Sequence, residues 1–334
     1  MAKKKATIQD IARAAGTSVS TVSRVLTGNA PVSDAKRAAV ERAIAQLGYR
    51  PSLIARGLKM SKTFTIGVVI NDITNPFYSM VVKGAESEAT ACGYSLILCV
   101  SNENPETELH QLQMLHDKQV DGIIFGPTGH NTEFIRSLAA RIPMIQVDRY
   151  LPDLRSDAVV VDNEGGAYQA VKLLTQRGHQ RIGLVGWQIG ISSEDQRIAG
   201  YCRALEDAGI PCDPHLMSTS PAFAPETMPA MVETLLARRP RPTAIFTINN
   251  QFGIVAMQAI RQAGLNIPDD VALVVFDDLA VFALTSPAIS AVAQPAYEVG
   301  QRTVQLLLAR LKDNGDAPPQ LIVLPTELVV RESA

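Results

Sequence analysis

TIQDIARAAGTSVSTVSRVL, residues 7–26, reads as two short helices joined by a tight turn. Thr7 followed three residues later by Asp10 fits a capping box, which starts the first helix at about Ile8. Ile8, Ile11, Ala12 and Ala15 recur at spacings of three and four, giving one narrow apolar face. Gly16 permits the turn, and Ser18 is placed to cap the next helix by accepting a backbone N–H. In that helix Val22, Val25 and Leu26 are predicted to face inward, leaving Val19, Ser20, Ser23 and Arg24 outside. Small polar residues with one Arg, at the start of a helix after a tight turn, suit reading of a DNA major groove. A capped helical hairpin with a solvated polar face has the same pattern, so the segment alone leaves both readings open.

Charge separates them. Residues 1–62 hold 12 Lys or Arg against 3 Asp or Glu, a net +9 in a chain whose total is −2. Residues 63–334 therefore carry −11, and a basic head on an acidic body is the asymmetry of a nucleic-acid-binding protein. Lys3, Lys4, Lys5, Lys36, Arg37, Arg42, Arg50 and Arg56 add enough cations to neutralise several phosphates, so binding is expected to fall steeply with salt.

The head continues with a third helix, capped at Ser33 and running to about Leu47, with Val40, Ile44 and Leu47 as its buried stripe and Gly48 as its end. Tyr49-Arg50-Pro51 then leads into SLIARGLKMSK. Pro51 suits a first helical turn, but Gly57 and a length of about eight residues leave a free helix marginal, so it folds only when held. Leu58 beside Lys59 is the pair a minor-groove binder uses to wedge a base step and kink the duplex; an ordinary linker with one apolar residue is the plain alternative.

At 334 residues with 46% hydrophobic content the chain can bury large cores, and its length predicts two or three domains. No run of 18 apolar residues occurs, and the positive start MAKKKATIQD has no apolar stretch after it, so a cytoplasmic protein is expected. Cys92, Cys99, Cys202 and Cys212 lack CxxC spacing and sit in apolar segments, and they read as reduced core residues. The five His are scattered, with no HExxH, so no metal site is expected.

From Thr65 the pattern becomes repeated strand-then-helix. TIGVVI, YSLILCV, DGIIFG, PMIQVD, AVVVD, RIGLVG, TAIFTI and VALVVFD alternate with helical stretches at 77–92, 105–118, 163–177, 195–208, 225–238 and 250–263. That is the signature of parallel sheets covered by helices on both faces, with too many strands for one sheet, so two similar subdomains are predicted. No GxGxxG follows the first strand and no Walker A motif occurs, so no cofactor is expected; with no visible nucleophile either, the chain reads as a non-enzyme.

Ligands of such sheets bind beyond the carboxyl ends of the strands. Polar residues collect there: Asn75-Pro76-Phe77-Tyr78, Asp148-Arg149, Asp195-Gln196-Arg197, Asn249-Asn250, Asp277-Asp278 and Gln294. A sugar needs this mixture, because each hydroxyl donates to a carboxylate while accepting from Arg or an amide, and the C–H faces pack on aromatics. Taken singly, each member reads first as a helix cap or a loop salt bridge, and it is the set of six polar loop ends with two aromatics that points to a ligand.

The chain resembles the LacI/GalR family of transcriptional regulators over its whole length, from TIQDIARAAGTSVSTVSRVL through GYRPSLIARGLK, TIGVVINDITNPFYS and VDGIIFGP to ELVVRES. Within that family the pattern is similar to the ribose-, gluconate- and purine-repressor-like branch. The resemblance implies an all-α helix-turn-helix DNA-binding head on an α/β core like a periplasmic binding protein, with two doubly wound parallel-sheet subdomains. It implies DNA contacts from Thr7, Ser18, Val19, Ser20, Thr21, Ser23, Arg24, Asn29 and Tyr49 in the head, and from Ser52, Ala55, Leu58 and Lys59 in a hinge helix. Val19 offers only an apolar contact, for instance to a thymine methyl.

Effector contacts implied by the resemblance fall on Asn75, Phe77, Tyr78, Asp148, Arg149, Arg197, Asn249, Asp277 and Gln294, with Phe223 a further aromatic. The set favours a small polyhydroxylated ligand over a purine, and its two arginines also admit a sugar acid. Trp187, the only Trp, is placed on a loop after RIGLV. The implied layout is a head over 1–50, a hinge over 51–62, and subdomains over 63–162 with 294–323 and over 163–293 with 324–334. The chain ends at Ala334 without a leucine-heptad helix, which predicts a homodimer on a palindromic operator. A transport-type sugar receptor accounts for the body but not the +9 head, and a regulator with a purine-like corepressor has the same architecture.

Overall fold

A computed structural model describes residues 6–27, 31–49, 62–188, 190, 192–221, 223–313 and 317–334. The chain divides into two compact units, Met1–Thr63 and Phe64–Ala334.

In the first unit, α1 (Ile8–Ala14), α2 (Val19–Thr27) and α3 (Asp34–Leu47) enclose a small core of Ile11, Ala12, Val22, Val40 and Ala43. The capping box forms: the Asp10 N–H donates to Thr7 Oγ1 (3.3 Å) while the Thr7 N–H donates to the Asp10 carboxylate (2.9 Å). Ser18 Oγ accepts from the Thr21 N–H at 3.2 Å, and Gly16 takes the turn at φ +60°. Such a cap contributes about 1 kcal/mol to a short helix. Two details depart from the expectation. Ala43 joins Val40 as a buried residue of α3 while Leu47 is 42% exposed, and Ser33 makes no side-chain cap. Gly48 turns left-handed at φ +59°, which brings Tyr49 back against the core in the place assigned to Leu47. The hinge helix around Leu58 lies outside the described residues.

In the second unit, β1 (Thr65–Ile70), β2 (Ser95–Val100), β3 (Gly122–Phe125), β4 (Met144–Val147), β5 (Asp157–Val161) and β11 (Leu321–Leu324) form one parallel sheet in the order β11-β5-β4-β3-β1-β2. Alternation works as a pleated strand requires: Ile66, Val68 and Ile70 of β1 enter one core layer and Val69 the opposite one. The other sheet contains β6 (Ile182–Trp187), β7 (Met217–Ser220), β8 (Ala244–Thr247), β9 (Ala272–Phe276), β10 (Ser290–Ala293) and β12 (Glu327–Val329), ordered β12-β10-β9-β8-β6-β7. Its edge strand β12 runs antiparallel to β10, a departure from an all-parallel reading.

The helices are α4 (Pro76–Ala91), α5 (Pro105–Asp117), α6 (Thr132–Ala139), α7 (Asn163–Gln176), α8 (Ser192–Asp207), α9 (Met228–Leu236), α10 (Asn250–Gln262) and α11 (Ala296–Arg310). The stretch expected as helix over 225–238 splits into a short 3-10 turn, Pro225–Thr227, and α9. Helices α6 and α11 and strands β7, β11 and β12 lie outside the elements picked out by periodicity. The chain leaves the first sheet after β5, returns after β10 as α11, and crosses again between β11 and β12. Helix α11 packs on α4, where Gly300 and Gly84 lie against the Val81 and Tyr297 carbonyls, so a side chain at either would strike backbone.

Each half ties its returning segment with a bidentate ion pair. Arg310 grips Asp157 at 2.6 and 2.7 Å in the first, and Arg331 grips Asp278 at 2.8 and 2.7 Å in the second.

The cysteine expectation fails for one pair. Cys202 on α8 and Cys212 are joined in a disulfide with Cα atoms 5.2 Å apart, because the chain reverses at Gly209 (φ +71°) directly after α8. Cys99 is buried and Cys92 exposed, both free.

Candidate functional site

The two sheets share one plan, with the order reversing beside β1 in the first and beside β6 in the second, and ligand crevices form at such switch points. Residues leaving the strand ends meet there around one cavity. All of Asn75, Phe77, Tyr78, Asp148, Arg149, Arg197, Phe223, Asn249, Asp277 and Gln294 line it. So do Asp72, Glu103, Trp187, Ser193, Glu194 and Gln251, beyond the residues the sequence predicts.

One wall comes from the first sheet. Asp148 follows β4 at φ +71°, in the left-handed region, and Tyr78 at the start of α4 donates its hydroxyl to the Asp148 carboxylate at 2.7 Å. The Arg149 guanidinium donates through Nη1 and Nη2 to Glu103 at 3.0 and 2.7 Å, to the Tyr78 oxygen at 3.2 Å, and through Nε to Asp148 at 3.4 Å. Burial works against the Arg149 charge, but Glu103, Tyr78, Glu194 and Asp148 outweigh it and hold the group firmly protonated. Burial also pushes the Tyr78 phenol well above its ordinary range, against the pull of Arg149, so it stays a neutral donor.

The opposite wall comes from the second sheet. Arg197 on α8 donates through Nε to Asn163 Oδ1 and through Nη1 to the Ile248 carbonyl, both at 2.8 Å, and its plane lies 3.8 Å from the Phe276 ring centroid. Asp277 follows β9 at φ +76°, the counterpart of Asp148, and accepts from Gln294 Nε2 and from the Asn250 N–H. Burial raises the Asp277 pKa from the ordinary carboxylate value, with Arg197 and Gln294 opposing. Trp187 is the last residue of β6 rather than a loop residue, and it is only 2% exposed, between Phe223 and Phe252. Its Nε1–H and Gln294 Oε1 are buried and make no hydrogen bond.

The plain readings are also realised. Asn75 and Asn249 cap α4 and α10, accepting from the Phe77 and Phe252 N–H groups at 3.0 Å. Asn75 Oδ1 then accepts from Asn250 across the cleft at 2.9 Å, and Gln251 donates to Asp72 at 3.1 Å. The cavity beside these bridges measures about 50 Å³.

The unpredicted members had weak signals. Asp72 sits in the quoted NDITNPF loop, but Glu103 follows a strand with several polar candidates, and Ser193 and Glu194 open a helix expected to start at Asp195.

In the head, Thr7, Ser18, Val19, Ser20 and Arg24 are exposed, while Thr21, Ser23 and Tyr49 are half-buried. Ser18 Oγ lies 2.8 Å from Ser20 Oγ and 2.9 Å from Thr21 Oγ1, so the start of α2 carries a cluster of hydroxyls with Val19, 42% exposed, and Arg24 alongside. Asn29, Ser52, Ala55, Leu58 and Lys59 lie outside the described residues. No helix among the described residues is long and apolar enough to cross a membrane.

Residues 7–52 match the family of bacterial regulatory proteins called the lacI family, and residues 171–334 match a periplasmic binding protein-like domain. The ribose operon repressor of Haemophilus influenzae is 35% identical over 328 residues, covering 98% of each chain. The lac repressor dimer bound to operator and the anti-inducer ONPF aligns with a TM-score of 0.85 at 26% identity over 99% of each chain. A LacI family regulator from Enterococcus faecium with bound ribose aligns with a TM-score of 0.72 at 28% identity, over 81% of this chain and 98% of that one. With a full-length relative at this identity, a matching helix-turn-helix head and the same two-sheet core, the chain belongs to the lacI family of bacterial regulatory proteins, and it is a transcriptional regulator rather than an enzyme.

Proposed function

We propose that the protein is a homodimeric repressor that binds a palindromic operator and whose grip on DNA is set by a small sugar or sugar acid in the cleft between the two sheets. The observation that carries this reading is the convergence of ten side chains from separate strand ends on one cavity. They supply carboxylates, guanidiniums, amides and aromatic faces, the mixture that hydroxyls and C–H faces require. The unpartnered Trp187 donor and Gln294 acceptor add one group of each kind.

In this reading residues 1–50 form the reading head and 51–62 the hinge. The subdomains comprise 63–162 with 294–323 and 163–293 with 324–334. Exposed Val19, Ser20 and Arg24 contact bases, and Leu58 with Lys59 opens the minor groove between half-sites. The effector favours one relative orientation of the subdomains, and its leverage is its differential affinity for the two, about 1–3 kcal/mol.

A gel shift with genomic fragments, with and without a panel of pentoses, hexoses, sugar acids and purines, tests this. Retention of a double-stranded fragment that steepens at low salt and responds to one sugar is the expected result. No retention at low ionic strength removes the regulator reading, and a response to purines alone moves the ligand class. Leu58→Ala should weaken operator binding strongly with effector affinity nearly intact, and equal operator affinity removes the wedge.

A further inference from the structure

The charge of the cleft narrows the ligand beyond "sugar or sugar acid". Its lining carries five acidic side chains, Asp72, Glu103, Asp148, Glu194 and Asp277, against two guanidiniums, Arg149 and Arg197. A ligand carboxylate gains from such a site only if a guanidinium is free to take it in a fork. Arg149 is not. It is gripped by Glu103 and flanked by Asp148 at 3.4 Å and Glu194 at 3.9 Å, all largely buried. Arg197 gives one N–H each from Nε and Nη1 to Asn163 and the Ile248 carbonyl, and the rest of its guanidinium shares the lining with the Asp277 carboxylate.

Glu103 is held for this position. Asn102 and Glu103 both adopt left-handed backbone, φ +53° and +55°, directly after β2, and Asn71 Nδ2 donates to Glu103 Oε2 at 3.0 Å. Side chains other than glycine adopt that conformation when their surroundings impose it. The carboxylate therefore stands where a ligand carboxylate would meet Arg149. Among the buried polar atoms of the lining residues, the Trp187 indole N–H and the Gln294 carbonyl oxygen make no hydrogen bond. A hydroxyl, which donates and accepts at once, answers both.

We propose that the cleft selects an uncharged sugar and rejects the corresponding sugar acid, and that Glu103 sets this selection by occupying Arg149. The proposal rests on reading the cleft as a sugar site and goes further by fixing the charge of the ligand.

Calorimetric titration of the full-length protein with ribose, galactose and glucose, against ribonate, galacturonate and glucuronate near neutral pH, decides it. The neutral sugar of the best-bound pair should bind at least about tenfold tighter than its acid, the low end of what a nearby like charge does to an ionisation. Glu103→Gln should raise the acid-to-sugar affinity ratio by about tenfold, and Glu103→Asp, which keeps the charge, should retain the preference. An acid that binds wild-type protein as tightly as its neutral partner overturns the charge selection while the sugar site stands. A ratio unmoved by Glu103→Gln in folded protein overturns the role of Glu103. If Glu103→Gln does not fold, a ratio raised in Glu103→Asp to that of an indifferent site overturns it equally. No binding by any of the six removes the sugar reading itself, and this proposal with it.

Discussion

Arg149 and Arg197 face the same cavity from opposite walls, yet they are held by different chemistry. Arg149 is matched by carboxylates in direct contact, while the direct partners of Arg197 are an amide oxygen, a carbonyl and an aromatic face, with the Asp277 carboxylate acting on it at longer range. A buried charge matched by opposite charge leaves its partners exposed to mutual repulsion when it is removed. A charge matched by neutral dipoles leaves behind only unmade hydrogen bonds. The first wall is thus an assembly of charges gathered on one cation, and the second also carries neutral groups without partners.

Substitution of the two arginines by methionine separates these cases. Arg149→Met should cost about 3–5 kcal/mol in urea unfolding, because Glu103, Asp148 and Glu194 lose their common counter-charge. Arg197→Met should cost about 1–3 kcal/mol, the scale of unsatisfied neutral partners. Equal costs for the two would break the contrast between the walls. In calorimetry, however, Arg197→Met should abolish sugar binding without changing operator affinity of the ligand-free protein, and an unchanged titration would mean the cleft is misassigned.

A smaller effect tests the acidic residue of the second wall. The Asp277 pKa is raised in the folded protein by burial, so the native state binds its proton more tightly than the unfolded chain does. Its contribution to stability is then present below the unfolded carboxylate value of about 3.9 and lost as pH rises through the raised folded value. Asp277→Asn should flatten that segment of the pH–stability curve, seen by thermal melts across mildly acidic buffers. The smallest signal is optical. Trp187 is the only tryptophan, so its emission should shift on addition of a bound sugar, and Trp187→Phe should lower sugar affinity by about tenfold, near one hydrogen bond. A silent spectrum on saturation would remove Trp187 from the ligand's surroundings.

Much of this cavity was readable because strands of this kind deliver their next residues to a common edge. Asp148 and Asp277 stand immediately after the strand runs MIQV and LVVF, and Asn75 stands just before a proline-started helix. Side-chain direction in an irregular turn has no such periodicity. Glu103 was missed for that reason: its carboxylate is aimed by two left-handed residues that nothing in SNENP announces. Trp187 was placed one step too late, on a loop, because Gly186 interrupts the apolar run while the strand continues through it. The Cys202–Cys212 bond depends on a reversal at Gly209 that brings a helix end and a loop together, and spacing alone carries no trace of it. Leu47 kept the helical spacing of a core residue but yielded its place to Tyr49, which the turn at Gly48 swings inward.

The backbone passes between the two sheets at three separate places, after β5, after β10 and after β11. Three crossings favour a hinge between the sheets over sliding of one past the other. Under the proposed function, different sugars would then vary how often the jaw is shut more than the pose it reaches.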